Sequence, residues 1–92
     1  MSGLLGGWKV ADFQAGSLPE KAASAFAAVT GSLVGASYVP VLYCGCQVVR
    51  GTNYMILCEQ KLSDQEGTRH LVKMVINDFQ DQYEIVYIDT II

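Results

Sequence analysis

Charge is scarce in this chain. Only 16% of its 92 residues are Asp, Glu, Lys or Arg, against 51% apolar. A disordered, solvating polymer needs the opposite balance, so that class is excluded. Basic residues are especially few, six against nine acids, for a net charge of −3. A protein that grips phosphate backbones needs a basic face, so no nucleic-acid partner is expected. No apolar run approaches the roughly 20 residues of a membrane span, and no membrane partner is expected. The opening stretch MSGLLGGWKVADFQ lacks the basic region and the long apolar run of a signal peptide. A cytoplasmic location follows as the expectation, although a secreted protein in its mature form would read the same.

Histidine occurs once, at His70, and cysteine three times, at Cys44, Cys46 and Cys58. An odd number of thiols cannot form a complete disulfide framework. Cys44 and Cys46 lie two apart in a strand-like run, which places both on one face and forbids a normal bridge between them. With His70 they match no closed Cys-His metal spacing, so three small reduced thiols are expected, with no metal and no cofactor. Cys58 and His70 have neither an acidic orienter nor an oxyanion motif beside them, and no enzymatic activity is expected. No repeat and no low-complexity tract divides the chain, so residues 1–92 read as one domain.

What the chain does have is a clear change of period. Residues 1–8, MSGLLGGW, read as a flexible N-terminal arm, and KVADFQ after it as a short extended piece. SLPE is a helix start, with Ser17 as N-cap, Pro19 in the first turn and Glu20 closing a capping box. Ala22, Phe26, Val29 and Leu33 then recur at helical spacing, and the helix is expected to end between Gly31 and Gly35. From there the pattern is that of strands. YVPVLYCGCQVV and TNYMILCEQ come first, with Pro40 suited to an edge or a bulge. A polar turn SDQEGT, the strand RHLVKMVI, a turn NDFQDQ and the strand YEIVYIDTII follow. Short connections between neighbouring strands mean an antiparallel meander. The fold class is therefore α+β: about five antiparallel strands wrapped around one long, alanine-rich helix.

One turn is unusual. Hairpin tips are normally polar, yet QVVRG at 47–51 puts Val48 and Val49 beside Arg50, closed by Gly51. An exposed apolar tip calls for a partner. QVVRG followed by TNY resembles the Gln-x-Val-x-Gly loop of the cystatins, inhibitors of papain-like cysteine proteases, and most closely the stefin branch. LLGG at 4–7 resembles the family's N-terminal arm and lies about forty residues upstream, as it does in that family. The order of arm, helix and strand also agrees, so the resemblance covers nearly the whole chain.

The resemblance implies a cystatin-like fold and a reversible, competitive inhibitor of cathepsin-like proteases. Arm and two hairpins would form a wedge that enters the active-site cleft. Leu4 and Leu5 would fill substrate-side pockets, and Gly6 would let the arm pass the catalytic thiol. Gln47, Val48, Val49, Arg50 and Gly51 would form the first loop. The second hairpin departs from the family, having neither Pro-Trp nor Leu-Pro, and Phe79 would supply its apolar contact. The four downstream cysteines of secreted cystatins are missing, which again favours the stefin type. The alternative is a cystatin-fold binding or self-associating protein without inhibitory activity. The expected monomer could then exchange its halves through the first loop into a domain-swapped dimer. A cavity-bearing enzyme of the wider superfold would need a longer chain and a buried acid.

Overall fold

The computed structural model describes residues 7–13 and 16–92. One helix and five strands follow in the order β1 (Trp8–Val10), α1 (Glu20–Thr30), β2 (Ala36–Val49), β3 (Gly51–Leu62), β4 (Arg69–Phe79) and β5 (Gln82–Thr90). The strands form a single open sheet in chain order, and every neighbouring pair is antiparallel. The protein is thus α+β, a five-stranded antiparallel meander with one helix.

The core follows from two periods meeting. Along β3, Tyr54, Ile56 and Cys58 are buried, and along β4, Val72, Met74 and Ile76 are buried. Alternate residues of a strand share a face. The register makes these six residues three cross-strand pairs, Tyr54 with Ile76, Ile56 with Met74 and Cys58 with Val72. On the helix, Ala22, Ala25, Phe26 and Val29 are buried, the i, i+3, i+4, i+7 stripe of an amphipathic helix. Its two alanines let the helix axis come close to the sheet, where it contacts β4 and β5. Tyr38, Tyr43 and Cys46 from β2, and Tyr83, Ile85 and Ile88 from β5, close the margins of this cluster. Burying a side chain such as Ile56 or Met74 contributes roughly 1.5–3 kcal/mol.

Four expectations need correction. The helix does not start from a Ser17 cap. Pro19 is the N-cap, with φ −55° and ψ 150°, and no side chain caps the helix. The Pro19 carbonyl accepts the first helical bond, from the Ala23 amide at 2.8 Å, which leaves Ser17 two residues outside. The helix then runs 11 residues, three turns, and ends at Thr30, so Leu33 lies beyond it and half-buried.

The second correction is at the chain's start. Trp8, assigned to the arm, opens β1, while the strand stops at Val10 rather than continuing through the expected KVADFQ piece. Past Val10 the Ala11 amide still donates to Cys44 O and the Gly16 amide to Val41 O on the outer edge of β2, each at 3.0 Å, while Gln14, the end of that piece, lies outside the described residues.

The third concerns the cysteines. Register shifts fall between Pro40 and Leu42 and between Tyr43 and Gly45. The second shift leaves Cys44 as the extra residue of a β-bulge. Cys46 pairs with Tyr54 and packs against the core. Cys44 instead lines a small groove with Val10, Gly45 and Met55 on the opposite face. The two thiols therefore face opposite ways. All three cysteines are unpaired, and burial pushes the Cys58 thiol up to about 12.

The fourth is the second hairpin. Residues 77–82 were expected to form its turn, but β4 runs through Phe79 and β5 begins at Gln82. Only Gln80 and Asp81 remain between the strands, with φ of 51° and 62°. Two successive positive φ values are those of a type I′ turn, whose twist suits a tight hairpin. Among the described residues no helix is long and apolar enough to cross a membrane.

Candidate functional site

The sheet register decides which loops meet. One cross-strand row runs Trp8, Gln47, Asn53, Asn77, Glu84, each residue paired with the next. Beyond this row, at one end of the sheet, lie the β2–β3 tip and the β4–β5 turn, and the chain enters β1 there. The β3–β4 turn at 63–68 is at the other end. The structure therefore brings together Gln47, Val48, Val49, Arg50, Gly51 and Phe79. Leu4, Leu5 and Gly6 lie outside the described residues. What the structure describes of that element is where its strand starts, with Trp8 opposite Gln47.

The first hairpin is as tight as a hairpin can be. Val49 pairs with Gly51, and Arg50 alone spans the apex. Gly51 has φ +83°, and a Cβ there would sit 2.2 Å from the Asp78 carbonyl oxygen of β4. Glycine is required twice over, for the turn and for the close approach of two backbones. Val48 is 55% exposed, whereas Val49 is half-buried on the other face of the strand. Of the two valines, Val48 is thus the one presented to solvent.

Three carboxamides brace the tip. Asn53 Nδ2 donates to Gln47 Oε1 at 3.0 Å. Asn77 Nδ2 donates to Asn53 Oδ1 at 2.9 Å and to the Arg50 carbonyl at 3.1 Å. The Arg50 guanidinium carbon stands 4.9 Å from the centre of the Phe79 ring, within the range of a cation–π contact. Phe79 is therefore a strand residue whose ring is engaged by the first hairpin, not an isolated loop tip. Val49, Arg50, Asn53, Asn77, Phe79 and Glu84 line an open groove of about 600 Å³ between the hairpins and β5.

The electrostatics of this end are mixed. Arg50 is exposed at the apex, while Asp78, Asp81 and Glu84 surround the second turn. The Tyr54 hydroxyl donates to Asp78 Oδ2 at 3.5 Å, and burial first, then this carboxylate, raises the Tyr54 phenol above its ordinary range. The Tyr83 phenol is raised too, by desolvation and then by Asp78 and Asp81. Asp78, Asp81 and Glu84 make the second hairpin the acidic half of the site, with Arg50 as its basic counterpart. Among the described residues no group of three or more His, Cys, Asp or Glu is placed to hold a metal ion.

Asn53 and Asn77 were missed in the sequence, as was the pairing of Trp8. The signal for Asn53 was present, since Gln47 and Asn53 are equally distant from Arg50 and must face each other once Arg50 is the apex. Nothing comparable marks Asn77, whose place depends on the register of a strand 24 residues away.

A second glycine fixes the N-terminal strand. A Cβ at Gly45 would lie 2.1 Å from the Lys9 carbonyl oxygen and 3.2 Å from the Val10 Cα. All three β1 side chains are exposed, so β1 is held mainly by its backbone pairing. Gly45→Ala is expected to detach β1 while the core stays folded. Amide exchange should accelerate at the β1–β2 ladder and stay slow at Ile56 and Met74, with a loss of about 1–2 kcal/mol in denaturant unfolding.

Comparison with family models, with characterised proteins and with solved structures returns no match for this chain.

Proposed function

We propose that this chain is a reversible, competitive inhibitor of papain-like cysteine proteases, built on a cystatin-like fold of the stefin type. The observation that carries the reading is the cross-strand row from Trp8 to Glu84, which sets the start of β1, the apolar QVVRG tip and the second hairpin at one end of the sheet. A wedge needs these three elements side by side, and the QVVRG and LLGG motifs alone do not say that they are.

In this reading Val48 is the residue of the first hairpin that is buried against the protease. It is exposed in the free chain, so association removes its apolar surface from water, contributing about 1.5 kcal/mol. The short braced tip loses little conformational freedom on binding, so more of that gain survives as affinity. Leu4 and Leu5 occupy the substrate-side pockets and Gly6 carries the backbone past the catalytic thiol. The second hairpin contributes through Phe79, partly directly and partly by holding Arg50. Inhibition is by occlusion of the cleft, so it is reversible and competes with substrate.

The test is a titration of active papain and a cathepsin-type protease with the purified monomer, reading residual peptidase activity against increasing substrate. Stoichiometric loss of activity, relieved by substrate, is the expected result. A folded monomer that leaves both proteases fully active overturns the reading in favour of a binding protein without inhibitory activity.

A further inference from the structure

The groove between the two hairpins is floored by Asn53 and Asn77, and the use of their polar atoms says what that floor is for. A primary carboxamide has two N–H donors and one oxygen acceptor. Asn77 directs Nδ2 at two acceptors, the Arg50 carbonyl and Asn53 Oδ1. Asn53 in turn accepts from Asn77 and donates to Gln47. Both donors of Asn77 and one donor of Asn53 are thus committed inside the protein, so at Asn77 the floor has no donor left for a ligand. It spans strands instead, since Gln47 is on β2, Asn53 on β3 and Asn77 on β4. The acceptor that distinguishes Asn77 is the main-chain carbonyl of Arg50, the apex residue of the first hairpin. Two residues further along β4, the ring of Phe79 meets the Arg50 side chain. The second hairpin therefore holds the first at its apex by both main chain and side chain.

We infer that Asn77 is a positioning residue of the inhibitory site, and that its carboxamide makes the two hairpins one pre-organised binding unit. This rests on the inhibitory reading given above. Asn77 touches no protease in this scheme. It acts through Arg50, by fixing the apex against the fraying expected of a single-residue turn at the end of two strands. Hydrogen bonds in such a chain reinforce one another, and a pre-organised surface shows its advantage chiefly as slower dissociation. The departure of the second hairpin from the family's proline-bearing loops acquires a role here, because contacts to Arg50 replace an apolar protrusion.

The experiment compares the full chain with Asn77→Ala and with Asn77→Asp, which keeps the shape but removes both donors. Two readouts are taken. The first needs no protease: amide hydrogen exchange at Gly51 and Thr52, with Ile56 and Met74 as controls for the intact core. The second is the association and dissociation rate with papain. Both variants are expected to exchange about tenfold faster at the tip, with the core unchanged, and to dissociate about tenfold faster with association altered less than twofold, the size of effect a lost hydrogen bond gives. Wild-type tip amides that exchange as fast as those of the 63–68 turn would overturn the inference, because there would be no pre-organised apex to hold. Variants with a loosened tip but wild-type dissociation would overturn it too, leaving the inhibitory reading intact. A wild-type chain that does not bind papain or the cathepsin-type protease would remove that reading and the inference with it.

Discussion

Val48→Asp is expected to raise the inhibition constant against papain by about 100-fold or more, with the melting temperature unchanged within about 2 °C. The two halves of this expectation come from one number. Val48 is 55% exposed, so the free protein gains little from its burial and loses little when it becomes polar. The complex is affected twice. It loses the apolar contact, about 1.5 kcal/mol, and it must desolvate a carboxylate on entering the cleft, a penalty of about 2 kcal/mol or more. Together these exceed the roughly 2.7 kcal/mol that separates 100-fold in affinity. Val49 is the poorer site for this test. It is half-buried on the groove side, so an acid there would disturb the tip as well as the interface. A Val48→Asp variant that inhibits as well as the wild type would remove the first hairpin from the interface.

Gly51→Ala is expected to destabilise the domain by about 3 kcal/mol or more and to abolish inhibition. The left-handed φ of +83° is strained for any residue with a Cβ. The larger part of the effect is steric. The new Cβ would overlap the Asp78 carbonyl oxygen at 2.2 Å, with the Asp78 carbonyl carbon and Phe79 Cα at 3.0 Å. These are backbone atoms and cannot rotate away, so β3 and β4 must part at the tip. A change of this size lowers the melting temperature of a domain of this length by about 12–24 °C. Gly67→Ala is the control. It has a similar φ, +63°, but its nearest neighbour is the far end of the Lys61 side chain at 3.2 Å. It should cost only about 1 kcal/mol, and the difference between the two variants isolates the contact between strands. Thermal or urea unfolding of the two proteins measures it.

The elements that were legible in the sequence are those set by local periodicity. Ala22, Phe26 and Val29, read at helical spacing, form the buried face of α1, and the strands read as TNYMILCEQ and RHLVKMVI lie within β3 and β4. The misreadings occur where a tertiary contact overrides a local rule. Cys44 and Cys46 were assigned to one face because strand residues two apart share one, and the bulge at Cys44 breaks that rule. Gly45 was the available cue, since a glycine inside a strand often marks a bulge or a close backbone approach. The Gln80–Asp81 turn lacks the Asn-Gly or Asp-Gly pair that usually signals a two-residue hairpin, so its flanking residues read as loop. Phe79 consequently appeared to be a free apical side chain, whereas pairing with Gln82 makes it part of β4 and directs its ring to Arg50. Asn77 illustrates the deeper limit. Its role depends on the alignment of three strands, which no window of sequence contains.

The site itself divides in the same way. The QVVRG tip was visible as a chemical anomaly, an apolar turn closed by glycine. Its placement beside the second hairpin and the start of β1 needed the sheet. Nor could the sequence say which valine faces solvent, because the answer depends on the register of β2 past two bulges.

The measurement that tests this account most directly is the amide hydrogen-exchange footprint of the chain bound to papain. Protection confined to residues 4–8, to residues 48–52 and to residues 79–82, the last two at the end of the sheet marked by the Trp8–Glu84 row, is the predicted result. Protection at the 63–68 turn or along the face of the helix, with the tips unchanged, would contradict it.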